Sequence, residues 1–114
     1  MKISVVIITF NEEKRIEPAL KSVKSIAEEI IVVDSFSTDE TLRIVQKYTD
    51  RIYQRKWTNY SDQKNFANKK ARYPWILSLD ADERLSDELR REIEALLPDE
   101  PDCAAFPCRG WFII

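Results

Sequence analysis

Apolar and polar positions alternate along this chain in two recurring kinds of segment. Ile3-Ser4-Val5-Val6-Ile7-Ile8-Thr9 is almost continuously apolar and rich in β-branched residues, which predicts a strand buried on both faces. Phe10-Asn11-Glu12-Glu13 breaks it. Ile16, Leu20 and Val23, spaced by four and three, predict a helix whose regular part begins near Glu17, with Pro18 tolerable in its first turn. Glu29 to Asp34 predicts a second buried strand ending in an acid. Ser37 and Glu40, three apart, fit a capping box for a helix reaching about Tyr48, with Leu42, Val45 and Tyr48 on one stripe. Arg51 to Arg55 reads as a short third strand, polar enough for a sheet edge. Ser61 to Lys70 predicts a helix, stopped by Tyr73-Pro74. Ile76, Leu77 and Leu79 form a fourth apolar strand that runs out into Asp80, Asp82 and Glu83. Ser86 caps a last helix, with Asp87 and Glu88 in its first turn and Leu89, Ile93, Leu96 and Leu97 as its stripe. Pro98 ends it, residues 99–102 link onward, and Cys103 to Ile114 reads as one more strand, or two.

The order βαβαβαβαβ predicts an α/β fold: a three-layer α/β/α sandwich with a mostly parallel sheet and right-handed crossovers. At 114 residues this is one domain at most. A hydrophobic share of 44%, a charged share of 33% and a net charge of −2 fit an ordinary globular chain and give no electrostatic case for nucleic acid. No apolar run reaches the length of a membrane span, and Met1-Lys2 leads straight into strand-like sequence. The expectation is a cytoplasmic protein, with room for a peripheral contact at the inner face of the membrane. Cys103 and Cys108 would stand roughly 16 Å apart on an extended segment, too far for a disulfide without a sharp bend.

Two absences narrow the chemistry. The one glycine, Gly110, lies near the end, which excludes a Rossmann fingerprint and a P-loop. There is no histidine, so Ser-His and Cys-His nucleophile pairs are excluded and carboxylates with a metal must carry most of any chemistry. Polar residues end three strands on one inferred edge: Thr9, Asn11 and Glu12; then Asp34, Ser35, Ser37 and Asp39; then Asp80 and Asp82. Singly, each reads as a turn or a cap. Together they place like charges in one crevice, where a cation or ligand donors would relieve the repulsion. Hard cations such as Mg²⁺ or Mn²⁺ suit carboxylates one residue apart that share a substrate's phosphates.

Three stretches carry a resemblance. Ile3 to Glu12 looks like the opening of family 2 glycosyltransferases, inverting enzymes of the GT-A (nucleotide-diphospho-sugar transferase) fold. Val32 to Thr41 is similar to their second-strand motif, and Leu79-Asp80-Ala81-Asp82-Glu83 to their Asp-x-Asp element, in matching order and spacing. Gln63-Lys64-Asn65 and the Trp75 strand resemble the bacterial glucosyltransferases of lipopolysaccharide core assembly. The resemblance implies strand order 3-2-1-4, with the last segment near strand 4. It implies that Thr9, Asn11 and Glu12 line a nucleoside pocket and that Asp34 accepts a hydrogen bond from the base, read as uracil. Lys64 and Asn65 would lie near the nucleotide, although an exposed helix is polar anyway. Asp80 would touch the ribose or the metal shell, and Asp82 would ligate Mn²⁺ or Mg²⁺. The donor would be a UDP-sugar, glucose above all, and the acceptor a saccharide or lipid-linked saccharide.

The family's base is a carboxylate well downstream, and Asp87, Glu88 and Glu92 read as helix surface instead. The apolar end Trp111-Phe112-Ile113-Ile114 leads us to expect residues 1–114 to be the donor-binding part of a truncated GT-A domain, with its base beyond Ile114 and a cut edge that favours self-association. A non-catalytic nucleotide-sugar-binding module is the alternative. A phosphoacceptor domain also clusters acids at strand ends, but it wants a lysine at a later strand end that is not found here.

Overall fold

Side chains along a strand point alternately to the two faces of its sheet, and the apolar residues here sort by that parity. Ile3, Val5 and Ile7 of β1 (Ile3–Thr9) share a core with Ile30 and Val32 of β2 (Ala27–Asp34) and Leu77 and Leu79 of β4 (Trp75–Asp80). Helix α1 (Ile16–Val23) covers that face with Ile16, Ala19, Leu20 and Val23, and α2 (Thr41–Val45) adds Val45. Val6, Ile31, Val33 and Ile76 point the other way, under Ala67 of α3 (Tyr60–Lys70) and the adjoining Ala71. Helices on both faces explain why the central stretches of these strands are apolar at successive positions.

The computed structural model describes residues 3–73, 75–96 and 111–112, with side chains through 92. Strand order is β3-β2-β1-β4-β5, where β3 is Ile52–Gln54 and β5 is Trp111–Phe112, and every pairing is parallel. Order 3-2-1-4, with the last segment beside β4, is as expected, and β3 takes the sheet edge. The register sets Thr9 beside Asp34 and Ile8 beside Asp80, so the polar ends of three strands lie along one edge.

Three local readings change. The Ser37–Glu40 capping box does not form; Ser37 donates to Asp34, and Asp39 accepts from the Thr41 N–H. Helix α2 stops at Val45 and the chain turns through Tyr48, whose ring still packs on the core. In α4 (Asp87–Leu96) Ser86 caps the Leu89 N–H as expected, but Leu89 is 39% exposed. The side chains of Ile93 and Leu96, together with Leu97 and both cysteines, lie outside the described residues.

The opposite end of the sheet holds a charged cluster that the sequence did not announce. Buried Glu29 accepts from Ser4 Oγ (2.5 Å), Arg51 (2.6 Å), the Arg72 N–H (2.6 Å) and Arg72 Nε (3.0 Å). Burial pushes its carboxyl up, but these hydrogen bonds and the Arg51 charge win and hold it below the ordinary value.

Candidate functional site

The β1–α1 and β2–α2 turns are zipped together by side chains. Asn11, at φ 50°, accepts the Thr38 N–H at 2.8 Å, and its own N–H donates to Ser37 Oγ at 2.8 Å. The Glu12 N–H donates to Thr41 Oγ1 at 2.9 Å. Beneath them Asp34 is fully buried. Its Oδ1 accepts from Thr9 Oγ1 and Ser37 Oγ, each at 2.6 Å, and its Oδ2 from the Ser37 N–H at 2.7 Å. Two oxygens offer about four acceptor positions, so one stays open on Oδ2. Asp34 thus shapes the loop, and with no exposed surface it offers that remaining lone pair to no cleft in this arrangement. The loop also holds Phe36 at φ 59°, a left-handed conformation that a bulky residue adopts only under constraint, with its ring 53% exposed.

Strand parity separates the acids. Asp34 lies on the α1–α2 face with Thr9, whereas Asp80 lies on the α3 face with Ser78. The expected pooling of charge in one crevice holds for Glu12, Asp80 and Asp82, which border one cleft, and is corrected for Asp34, whose oxygens take three hydrogen bonds on the other side of β1. From the register, the two strand ends stand about 10 Å apart with β1 between them.

Asp80 has its own partners. Tyr60 Oη donates to Asp80 Oδ1 at 2.7 Å, and Lys64 Nζ lies 3.3 Å from the same oxygen while also donating to Ser78 Oγ. Partial burial and the bond to Asp80 push the Tyr60 phenol up to about 12, so it stays a neutral donor at any ordinary pH. Lys64 is largely enclosed, its side chain 16% exposed, which sets it apart from an ordinary solvated helix lysine. Asn65 is exposed one position on. Asp82 is 52% exposed, with Arg15 at 4.0 Å.

Two clefts meet at Asp80 and Tyr60. One, of about 210 Å³, is bounded by Thr9, Phe10, Glu12, Trp57 and Asp82. The other, of about 560 Å³, is bounded by Lys64, Asn65, Asn68, Ser78 and Glu83, and its size suits a small-molecule ligand. Of the anticipated residues, Thr9, Glu12, Lys64, Asn65, Asp80 and Asp82 line these clefts, whereas Asn11 and Asp34 brace the loops beside them. Tyr60, Trp57 and Phe10 were missed. The available signal was aromatic residues immediately past strand ends, and Tyr60 four residues before Lys64 on one helix face.

The donor chemistry suits a hard divalent cation. Asp82 and the second oxygen of Asp80 offer carboxylate oxygens at an open strand end. Among the described residues no group of three acids, histidines or cysteines could form a cage. Mg²⁺ and Mn²⁺ take one or two carboxylates and fill their shell with phosphate and water, so two suffice.

The chain matches known proteins along nearly its whole length. It is 48% identical over 99 residues to a glycosyltransferase of Rickettsia bellii, covering 87% of this chain and 34% of that protein. It is 39% identical over 102 residues to the lipopolysaccharide core biosynthesis glycosyltransferase LpsC of Rhizobium meliloti, covering 85% of this chain and 37% of LpsC. The crystal structure of S. aureus TarS 1-349 in complex with UDP superposes with a TM-score of 0.66 at 32% identity, over 83% of this chain and 31% of that one. The chain thus spans about a third of the length of these relatives. With the glycosyl transferase family 2 profile matching residues 4–113, on a GT-A sheet whose strand ends carry the motifs in order, this chain belongs to glycosyl transferase family 2.

Proposed function

We propose that this chain binds the donor of a metal-dependent, inverting glycosyltransferase that moves a sugar, glucose in the first instance, from UDP to a saccharide acceptor. The observation that carries the reading is the pair of clefts meeting at Asp80, one rimmed by aromatic rings and the other containing an enclosed lysine. Phe10 and Trp57 are 55% and 48% exposed beside Thr9, which supports an aromatic rim for the nucleoside. Asp34 has no exposed surface, so its open lone pair would take the base N–H only once the β2–α2 turn moves aside, a turn that Asn11 and Glu12 brace. Asp80 and Asp82 would hold Mn²⁺ or Mg²⁺, which when bound offsets the charge of the diphosphate leaving group. Lys64 and Asn65 face the same cleft and supply a cation and an amide to the phosphates or the sugar. Tyr60 orients Asp80 by occupying Oδ1, which leaves Oδ2 to the ligand.

Likeness to LpsC supports a lipopolysaccharide-core or other lipid-linked acceptor, reached at the cytoplasmic face of the membrane. We assign residues 1–114 to the donor half and place the general base in the part of the relatives' length that lies outside this match. The alternative, a nucleotide-sugar-binding module without chemistry, predicts the same binding and no transfer by the full-length protein. Calorimetric titration with UDP, ADP, GDP and CDP in the presence of Mn²⁺ tests the donor assignment. UDP should bind at least tenfold tighter than the purine diphosphates; equal affinities would remove the case for a uracil-reading Asp34 wall.

A further inference from the structure

Charge along this chain is unevenly placed. Between Arg51 and Arg72 there are seven lysines and arginines and one acid, Asp62, a net of +6, while the remaining residues carry −8 of a total of −2. The fold gathers this segment on one face. Arg51, Tyr53 and Arg55 alternate along β3 and its margins, so all three point to the α3 side, where Phe66 and Lys70 lie four residues apart on the helix. Tyr53 and Phe66 meet edge to face at 6.0 Å. Cations cover them: Lys70 lies 5.1 Å from one ring centre and 4.9 Å from the other, Arg51 5.8 Å from Tyr53, and Arg55 5.4 Å from Phe66. Lys56, Lys69 and Arg72 add exposed charge around this tile. Among the described residues, Arg55, Lys56, Lys69 and Lys70 pair with no carboxylate. The face runs along the eleven residues of α3, about 16 Å, from Lys56 and exposed Trp57 at the mouth of the nucleotide clefts to Arg72.

We propose that the β3–α3 face docks on an anionic lipid bilayer through headgroup phosphates. Charge complementarity requires an anionic partner, and unpaired lysines and arginines beside an exposed tryptophan match a bilayer interface. Single-stranded nucleic acid fits less well, because it needs free ring faces on which bases can stack, and those of Tyr53 and Phe66 are occupied by cations. Docking in this way would set the cleft mouth at Trp57 beside the membrane, where a lipid-linked acceptor resides. That last point rests on the proposed acceptor class; the docking itself does not.

The test is co-sedimentation of the 114-residue chain with phosphatidylglycerol/phosphatidylcholine vesicles and with pure phosphatidylcholine vesicles. Partition should favour the anionic vesicles and disappear at high salt. The double variant Lys56→Glu/Lys69→Glu, which alters two exposed side chains, should bind anionic vesicles at least about 25-fold more weakly, at about fivefold per cation. Lys70→Gln is the second variant, with circular dichroism confirming the fold of each. Equal partition on neutral vesicles, unchanged binding by the variants, or tighter binding of a single-stranded oligonucleotide would overturn the proposal. UDP titration of the same samples separates this outcome from failure of the donor reading.

Discussion

At the residue scale, Asp34 and Asp80 show how far an acid's role depends on strand parity. Both end an apolar strand, and the sequence marks them equally as ligand candidates. The structure gives Asp34 three donors and no exposure, whereas Asp80 keeps an oxygen toward two clefts. Asp34→Ala should destabilise the chain by about 2–3 kcal/mol, because the Ser37 N–H and two hydroxyls lose a buried acceptor. Asp34→Asn should cost less than half as much, since its amide oxygen can keep the Ser37 N–H while the hydroxyls reverse. Urea unfolding of the two variants checks the order. Tyr60→Phe removes one hydroxyl from a half-exposed ring. It should leave the urea midpoint nearly unchanged and weaken Mn²⁺-dependent UDP binding severalfold. Equal losses with and without Mn²⁺ would argue that Tyr60 contacts nucleotide directly and does not orient Asp80. Tyr60 escaped the sequence reading because a tyrosine opening a helix carries no signal of its partner, which stands twenty positions later on another element.

Among the elements, β2 carries a polar device at each end. Asp34 organises the ligand edge, and Glu29 ties β2 to Ser4 of β1, to Arg51 beside β3 and to Arg72 beyond α3. Glu29→Ala should cost about 3 kcal/mol, the low end for a broken buried pair, because Arg72 remains largely solvated. The pH dependence follows from its lowered pKa. The unfolded chain binds this proton more readily, so the stabilisation is complete above the ordinary value of 4.5 and is lost as pH falls through the lower folded value. Thermal melts from pH 6 to pH 3 should therefore show a steeper acid limb in the parent chain than in Glu29→Gln. The capping box was misread for a related reason. Ser37 and Glu40 have the right spacing, but Asp34 offers Ser37 a buried carboxylate, a stronger acceptor than any helix amide is a donor. Local pattern lost to a partner on the preceding strand.

For the whole molecule, the first four strands and their parallel pairing were legible because they depend on apolar periodicity and on strand–helix alternation, which a linear sequence displays directly, whereas the order 3-2-1-4 came from the family resemblance, since periodicity does not say which strands are neighbours. The site was legible in its membership and less so in its arrangement. Thr9, Glu12, Lys64 and Asp80 do gather, but which acid faces ligand and which braces a loop depends on the faces on which β2 and β4 end. The basic β3–α3 face was hidden by a net charge near zero, which averages +6 on one segment against −8 elsewhere. Among the described residues no helix is long and apolar enough to cross a membrane.

In the proposed function, Asp80 and Asp82 anchor a metal-bound diphosphate beside the nucleoside wall. Calorimetry of UDP binding, with and without Mn²⁺, on the parent chain and on Asp82→Ala tests it most directly. Mn²⁺ should strengthen UDP binding to the parent chain, and Asp82→Ala should abolish this gain, a loss of at least about tenfold, with metal-free binding unchanged. Undiminished Mn²⁺-dependent affinity in Asp82→Ala would contradict it.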